Sequence, residues 1–155
     1  MTRPASPSGL DFPAYWFPVE LGKCLAFAQA LGPLPQSAEG HQTLPAAEIA
    51  MPPTLPVCSH IYSPSGVPPI VSLADAGVVD RGRILQAGIE FEWHRPIAAG
   101  ERLHVHDRLL STEDKVGSRG ALRVFTFVSE FWDPEGVLTM TIRTTNIERA
   151  HVDRG

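Results

Sequence analysis

The sequence predicts an α+β fold, with helices in the first half and an antiparallel sheet from the second half that wraps one of them. Three observations carry this. Between Pro18 and Leu31 apolar residues recur at steps of three and four, as on one face of a helix. From Ile84 onward they are β-branched and aromatic and fall into runs bounded by turn signals. Most of the 15 prolines lie between residues 4 and 69, so a proline-punctuated half meets an almost proline-free one.

The spacing predicts a first helix over 18–31. Pro18 suits an opening turn, and Gly32 followed by Pro33 is a stop signal. Five prolines between 33 and 53 predict a long loop with at most a helical turn at 46–49. A second helix is expected to begin near Thr54 as N-cap, with Pro56 in its first turn, Leu55, Cys58 and Tyr62 on one face, and Pro64 and Gly66 ending it. Residues 63–83 read as irregular, with a short helix over 71–76.

Four antiparallel strands are expected over 84–94, 102–110, 121–132 and 137–147. Leu103, Val105 and Leu109 alternate with Arg102, His104, His106 and Arg108, which gives the second of these one wet face. Asp133-Pro-Glu-Gly136 reads as a hairpin loop in which Pro134 presets the turn and Gly136 supplies a positive φ. Such a sheet, covered by one short helix, leaves an open edge and predicts dimerisation.

A chain of 155 residues is one domain's worth, here 11–150 between a flexible leader (1–10) and a tail (151–155). The net charge of -4 offers no basic field for nucleic acid or an anionic membrane surface. No stretch reaches the roughly 18 to 20 apolar residues a bilayer-spanning helix needs, and the N-terminus has no apolar signal core, so the cytoplasm is the expected compartment. Cys24 and Cys58 read as buried free thiols, and Asp107, Glu113 and Asp114 as surface charge. Trp93, Phe125, Phe127, Phe131 and Trp132 read as core.

Three stretches in this order resemble one enzyme family: Phe17-Pro-Val-Glu-Leu-Gly-Lys through Phe27-Ala-Gln-Ala-Leu-Gly32, Met51-Pro-Pro-Thr-Leu-Pro56, and Ile89-Glu-Phe-Glu-Trp-His-Arg-Pro-Ile-Ala-Ala-Gly-Glu-Arg-Leu103. The family is the MaoC-like, FAS1-type hydratase-dehydratase N-terminal domain of the hot-dog superfamily. The resemblance implies a hot-dog fold, a curled antiparallel sheet wrapped around a central helix. It also implies a substrate held as a coenzyme A or acyl-carrier thioester, with no other cofactor and no metal. In active members an Asp and a His activate water for addition to a 2-enoyl thioester, or run the reverse dehydration, while amides at the start of the central helix polarise the carbonyl. Here that polarising end falls at Thr54 to Val57, and Thr54 and Leu55 are the substrate-binding candidates.

The acid and base are missing from their places. Pro33, Leu34, Pro35, Gln36 and Ser37 follow Gly32, where the family has Asp and then His. The resemblance therefore implies the half of an (R)-specific 2-enoyl-thioester hydratase or 3-hydroxyacyl-thioester dehydratase that shapes the acyl pocket, as a homodimer or as a heterodimer with a catalytic MaoC-like chain. The alternatives are a self-sufficient hydratase using displaced groups, a thioesterase using a carboxylate such as Glu48, or a noncatalytic acyl-thioester binding module. His41 and His60 are the remaining catalytic candidates, each with a plainer reading: a solvated loop residue for His41 and a packed helix residue for His60. His94 and Arg95 read as turn-stabilising, or as contacts to the thioester's arm. A metal at His104 and His106 lacks a third ligand nearby.

Overall fold

The computed structural model describes residues 9–32, 46–118 and 120–149. Six antiparallel strands form one sheet: β1 (Leu10–Asp11), β2 (Tyr15–Pro18), β3 (Ile84–Trp93), β4 (Arg102–Gly117), β5 (Gly120–Trp132) and β6 (Leu138–Arg149). The order is β1-β4-β5-β6-β3, and β2 also pairs with β4, beyond β1 along the same edge. Bulges between Gln86 and Gly88, Leu109 and Ser111, and Phe131 and Trp132 bend the long strands, and the sheet curls over its helical elements. This is the α+β hot-dog architecture.

The four long strands arise where the sequence places them, because alternation fixes which face is buried. Leu103, Val105 and Leu109 are fully buried, while Arg102 and His106 point to water. The β5–β6 hairpin closes as expected: the Asp133 carboxylate accepts from the Glu135 and Val137 amides at 3.1 and 2.8 Å, and Gly136 adopts φ 80°. Phe125, Phe127 and Phe131 are core, but Trp93 and Trp132 are half-buried, and Trp132 faces outward beside Trp16 and His104.

The first half differs more. Helix α1 (Leu21–Leu31) starts three residues later than expected, because Pro18 ends strand β2, paired with Arg102. Neither β1 nor β2 was foreseen, and Leu10, expected in the leader, pairs with Leu109. The expected central helix is a 3-10 helix, Leu55–Tyr62, in which Leu55 and Val57 donate to Pro52 and Thr54 three residues back. Its buried face carries Leu55 and Ser59. Cys58 is exposed, so the reading of both cysteines as buried holds for Cys24 alone. A further short helix, α2 (Pro69–Asp75), follows with Pro69, Ile70 and Leu73 inward.

The core is in two parts. One joins β2, the start of the 3-10 helix and the β4–β6 sheet through Phe17, Leu55, Val105, Phe131 and Met140. The other joins α2 to Leu109, Phe125 and Phe127. Phe131 is fully buried, with its ring edge-on to Phe17 at 6.2 Å. Phe131→Ala is expected to cost about 3–5 kcal/mol in urea unfolding. Val116→Thr, at a position 88% exposed, is expected to change stability by less than about 0.5 kcal/mol.

Candidate functional site on the concave face

Between the two core clusters the concave face turns polar. Asp107 on β4 stands directly opposite Ser129 on β5, with Val105 and Phe131 on one side and Leu109 and Phe127 on the other. Asp107 is only 3% exposed, which corrects its reading as surface charge. The signal was present in the strand period: Asp107 has the same parity as Leu103, Val105 and Leu109, so a regular strand turns it inward with them.

Asp107 is hydrogen-bonded to Ser129 and Tyr15, and its Oδ1 has no hydrogen-bond partner. Burial away from water pushes its carboxyl above the ordinary 3.8, opposed by these hydrogen bonds and by the nearby His60 and His106. Burial, and then the Asp107 charge, raise the Tyr15 phenol in turn. Tyr15 also shares a hydrogen bond of 3.1 Å with Ser59, which fastens the 3-10 helix to β2.

The two helical elements do not close over this face. A cavity of about 280 Å³ remains, walled by Val57 and His60, by Pro68 and the first turn of α2 through Val71, and by Phe127, Ser129, Ile142 and Asn146 of the sheet. It is near the lower end of small-molecule pockets, about 300–1,000 Å³. A second cavity of about 340 Å³ lies on the other side of Pro69, with Asp107 in its wall.

Of the candidate residues, His60 is half-buried on the first cavity's wall. Leu55 is core and Thr54 is exposed, and neither is in the wall of these two cavities. The polarising role expected at this helix start is weakened: the Leu55 and Val57 amides are already engaged, and Pro56 has none. His94 is exposed at the end of β3, where its amide donates to Thr139. Arg95 donates to Glu101 at 2.7 and 3.1 Å and to Asp133 at 3.3 Å, so its guanidinium braces two turns. Glu48 is exposed and lines neither cavity, and His41 lies outside the described residues. His104 and His106 are 2.9 Å apart, and the described residues contain no cluster of three or more metal-ligating side chains. No helix is long and apolar enough to cross a membrane among the described residues.

A curled sheet over an incomplete helical layer, with an apolar cavity between them, defines a hot-dog domain. The sequence model described as FAS1-like, dehydratase domain region matches residues 8–142, and the chain belongs to that family. No curated protein matches. Among solved structures, the chain is similar to one from the C-terminally truncated HadBC (3R-hydroxyacyl-ACP dehydratase) complex of Mycobacterium tuberculosis, at 22% identity and TM-score 0.64, covering 90% of this chain and 96% of that one. It is similar to a chain of the ChsH1–ChsH2 complex of the same organism at 16% identity and TM-score 0.64, covering 92% and 87%. A MaoC-like dehydratase from Phytophthora capsici matches at 19% identity and TM-score 0.64 over 94% of this chain, which spans only 48% of that protein. These likenesses show the fold.

The Asp107 carboxyl makes stability depend on pH with a definite sign. A carboxyl whose pKa is raised on folding binds its proton more tightly in the folded state, so its share of stability is complete below the unfolded value near 3.8 and declines as pH rises through the folded value. Asp107→Asn removes that titration. Thermal melts of the two proteins from acid to neutral pH should diverge in the variant's favour, by about 1–3 kcal/mol at the neutral end.

Proposed function

We propose that this chain is the acyl-binding half of an (R)-specific 2-enoyl-thioester hydratase or 3-hydroxyacyl-thioester dehydratase, whose partner supplies the Asp and His. The observation that carries this reading is the apolar cavity left on the concave face by a 3-10 helix of only eight residues. In this role the chain's residues bind and bury the acyl group. Val57, Ile70, Phe127 and Ile142 would strip it of water, and Thr54 and Leu55 would fix the strand-facing end of the 3-10 helix beside the thioester of coenzyme A or an acyl-carrier protein. The lost acid-base pair at Gly32 and the engaged amides of Leu55 and Val57 agree with chemistry housed elsewhere.

Strand β3 offers a place for the partner. Its ten residues pair with β6 on one side, and among the described residues no strand covers the other edge. Open edges of that length invite strand addition. HadBC and ChsH1–ChsH2 are themselves complexes, which supports a second chain here.

One observation favours a self-sufficient enzyme instead: His60 lies on the cavity wall close enough to Asp107 to influence its proton. Steady-state hydration of a 2-enoyl-CoA separates the two. The isolated chain should turn over at least about 10²-fold more slowly than the same chain mixed with a neighbouring-gene product that carries the Asp and His. Full activity of the isolated chain, abolished by His60→Ala or His41→Ala, would overturn the partner reading. In sedimentation, the chain is expected to run as a dimer or larger at micromolar concentration.

A further inference from the structure

We propose that Asn146 and Gln86, with Thr144, form a recognition point in the first cavity for a neutral oxygen function, a hydroxyl or a carbonyl, carried on the acyl group beyond the reacting carbons. The proposal rests on the acyl-binding reading above and adds the substrate's chemical class to it.

The inward face of β6 changes character along its length. Met140 and Ile142 belong to the apolar core, and Thr144 and Asn146 continue the same face as polar residues. Register fixes their neighbours. Asn146 stands between Gln86 on β3 and Phe125 on β5, and Thr144 between Ile89 and Phe127. Directly opposed residues share a face, so Gln86 and Asn146 present their carboxamides side by side. Gln86, Thr144 and Asn146 all line the first cavity.

Asn146 is only 5% exposed, and among the described residues its side chain forms no hydrogen bond. A buried carboxamide in that state costs free energy unless something in the cavity pairs with it. Among the described residues the only unpartnered side-chain atom sealed from water is Asp107 Oδ1. The Asn146 amide is therefore reachable, and the space it borders is the cavity.

A carboxamide pair offers N–H donors and carbonyl acceptors and carries no charge. Among the described residues the cavity wall holds no Lys, Arg, Asp or Glu, and Glu148, the next inward residue of β6, lies outside the wall and accepts from the Asp80 amide at 2.8 Å. A carboxylate or ammonium on the ligand would lose its hydration there without a counter-charge. A plain alkyl chain would leave the amides unpaired. A hydroxyl or a carbonyl meets both conditions. The Ser129–Ile142 rung, where His60 lies near Asp107, marks the end of the cavity toward the 3-10 helix. Asn146 is four residues farther along β6, about 13 Å away, so the oxygen it recognises is remote from the thioester.

The test is calorimetric titration of the full chain with non-hydrolysable thioether analogues of acyl-CoA: a plain alkyl series, a series with one hydroxyl or one ketone stepped along the chain, and matching carboxylate and amine series. At one remote position the hydroxyl or the ketone should bind about tenfold more tightly than the plain alkyl analogue. Asn146→Leu should remove that gain while keeping alkyl binding. Gln86→Ala, at an exposed position on the sheet edge, should reduce it without disturbing the core. Equal affinity for alkyl and oxygenated analogues means that the amides hold only water, and overturns the proposal while leaving the acyl reading intact. A carboxylate or amine that outranks the neutral analogues overturns it, as does a gain that survives both substitutions. Failure of every analogue to bind, alkyl included, brings down the acyl reading and this inference with it.

Discussion

A curled sheet has a concave apolar face that must be covered, and everything distinctive in this chain follows from covering it incompletely. A long central helix would lie across the whole face. Here proline in the first turn and a stop at Ser63 leave a 3-10 helix of eight residues over one end, and α2 covers the other. Each piece gathers its own apolar cluster from the sheet. The Asp107–Ser129 pair occupies the gap between them, at a place where a hydrophobic residue would have no helix to pack against.

The polar gap is held open rather than merely left over. Tyr15, from a strand of only four residues, hydrogen-bonds Ser59 and Asp107 together, so the edge of the sheet, the helix over it and the carboxyl beneath it form one network. Lys23 and Glu20 meet Tyr62 at the other end of the same helix. Both latches restrain the 3-10 helix at its margins and leave His60 free to face the cavity. Buried polar networks of this kind are costly when incomplete.

The long strands were legible because their signals are local: alternation in β4, the Asp-Pro-Glu-Gly turn, and β-branched and aromatic runs all act within a few residues. The N-terminal strands were not. Tyr15–Pro18 becomes a strand only because Arg102 to Val105 offers it an edge nearly ninety residues away, and Pro18 reads equally well as the start of a helix. The 3-10 geometry was hidden for a similar reason, since Thr54 and Pro56 open either kind of helix. Asp107 was within reach of the sequence, as its parity in β4 shows, but a charged residue between His106 and Arg108 reads as surface until the strand's inward face is counted through it. That residues 33–37 contain neither Asp nor His was legible at once, since it requires only the identities of the residues that stand there.

Arg95 carries a consequence of a different kind. A single guanidinium grips Glu101, on the turn between β3 and β4, and Asp133, at the start of the β5–β6 hairpin, while Glu101 also receives the Ala98 amide at 2.6 Å. Two loops that are far apart in sequence and sit on different strand pairs are thereby made into one rim. Insertions or deletions in either loop would be felt in the other, so this end of the molecule can change only as a unit. Variation in length is left to the opposite end, where β4 and β5 run on to Gly117 and Gly120.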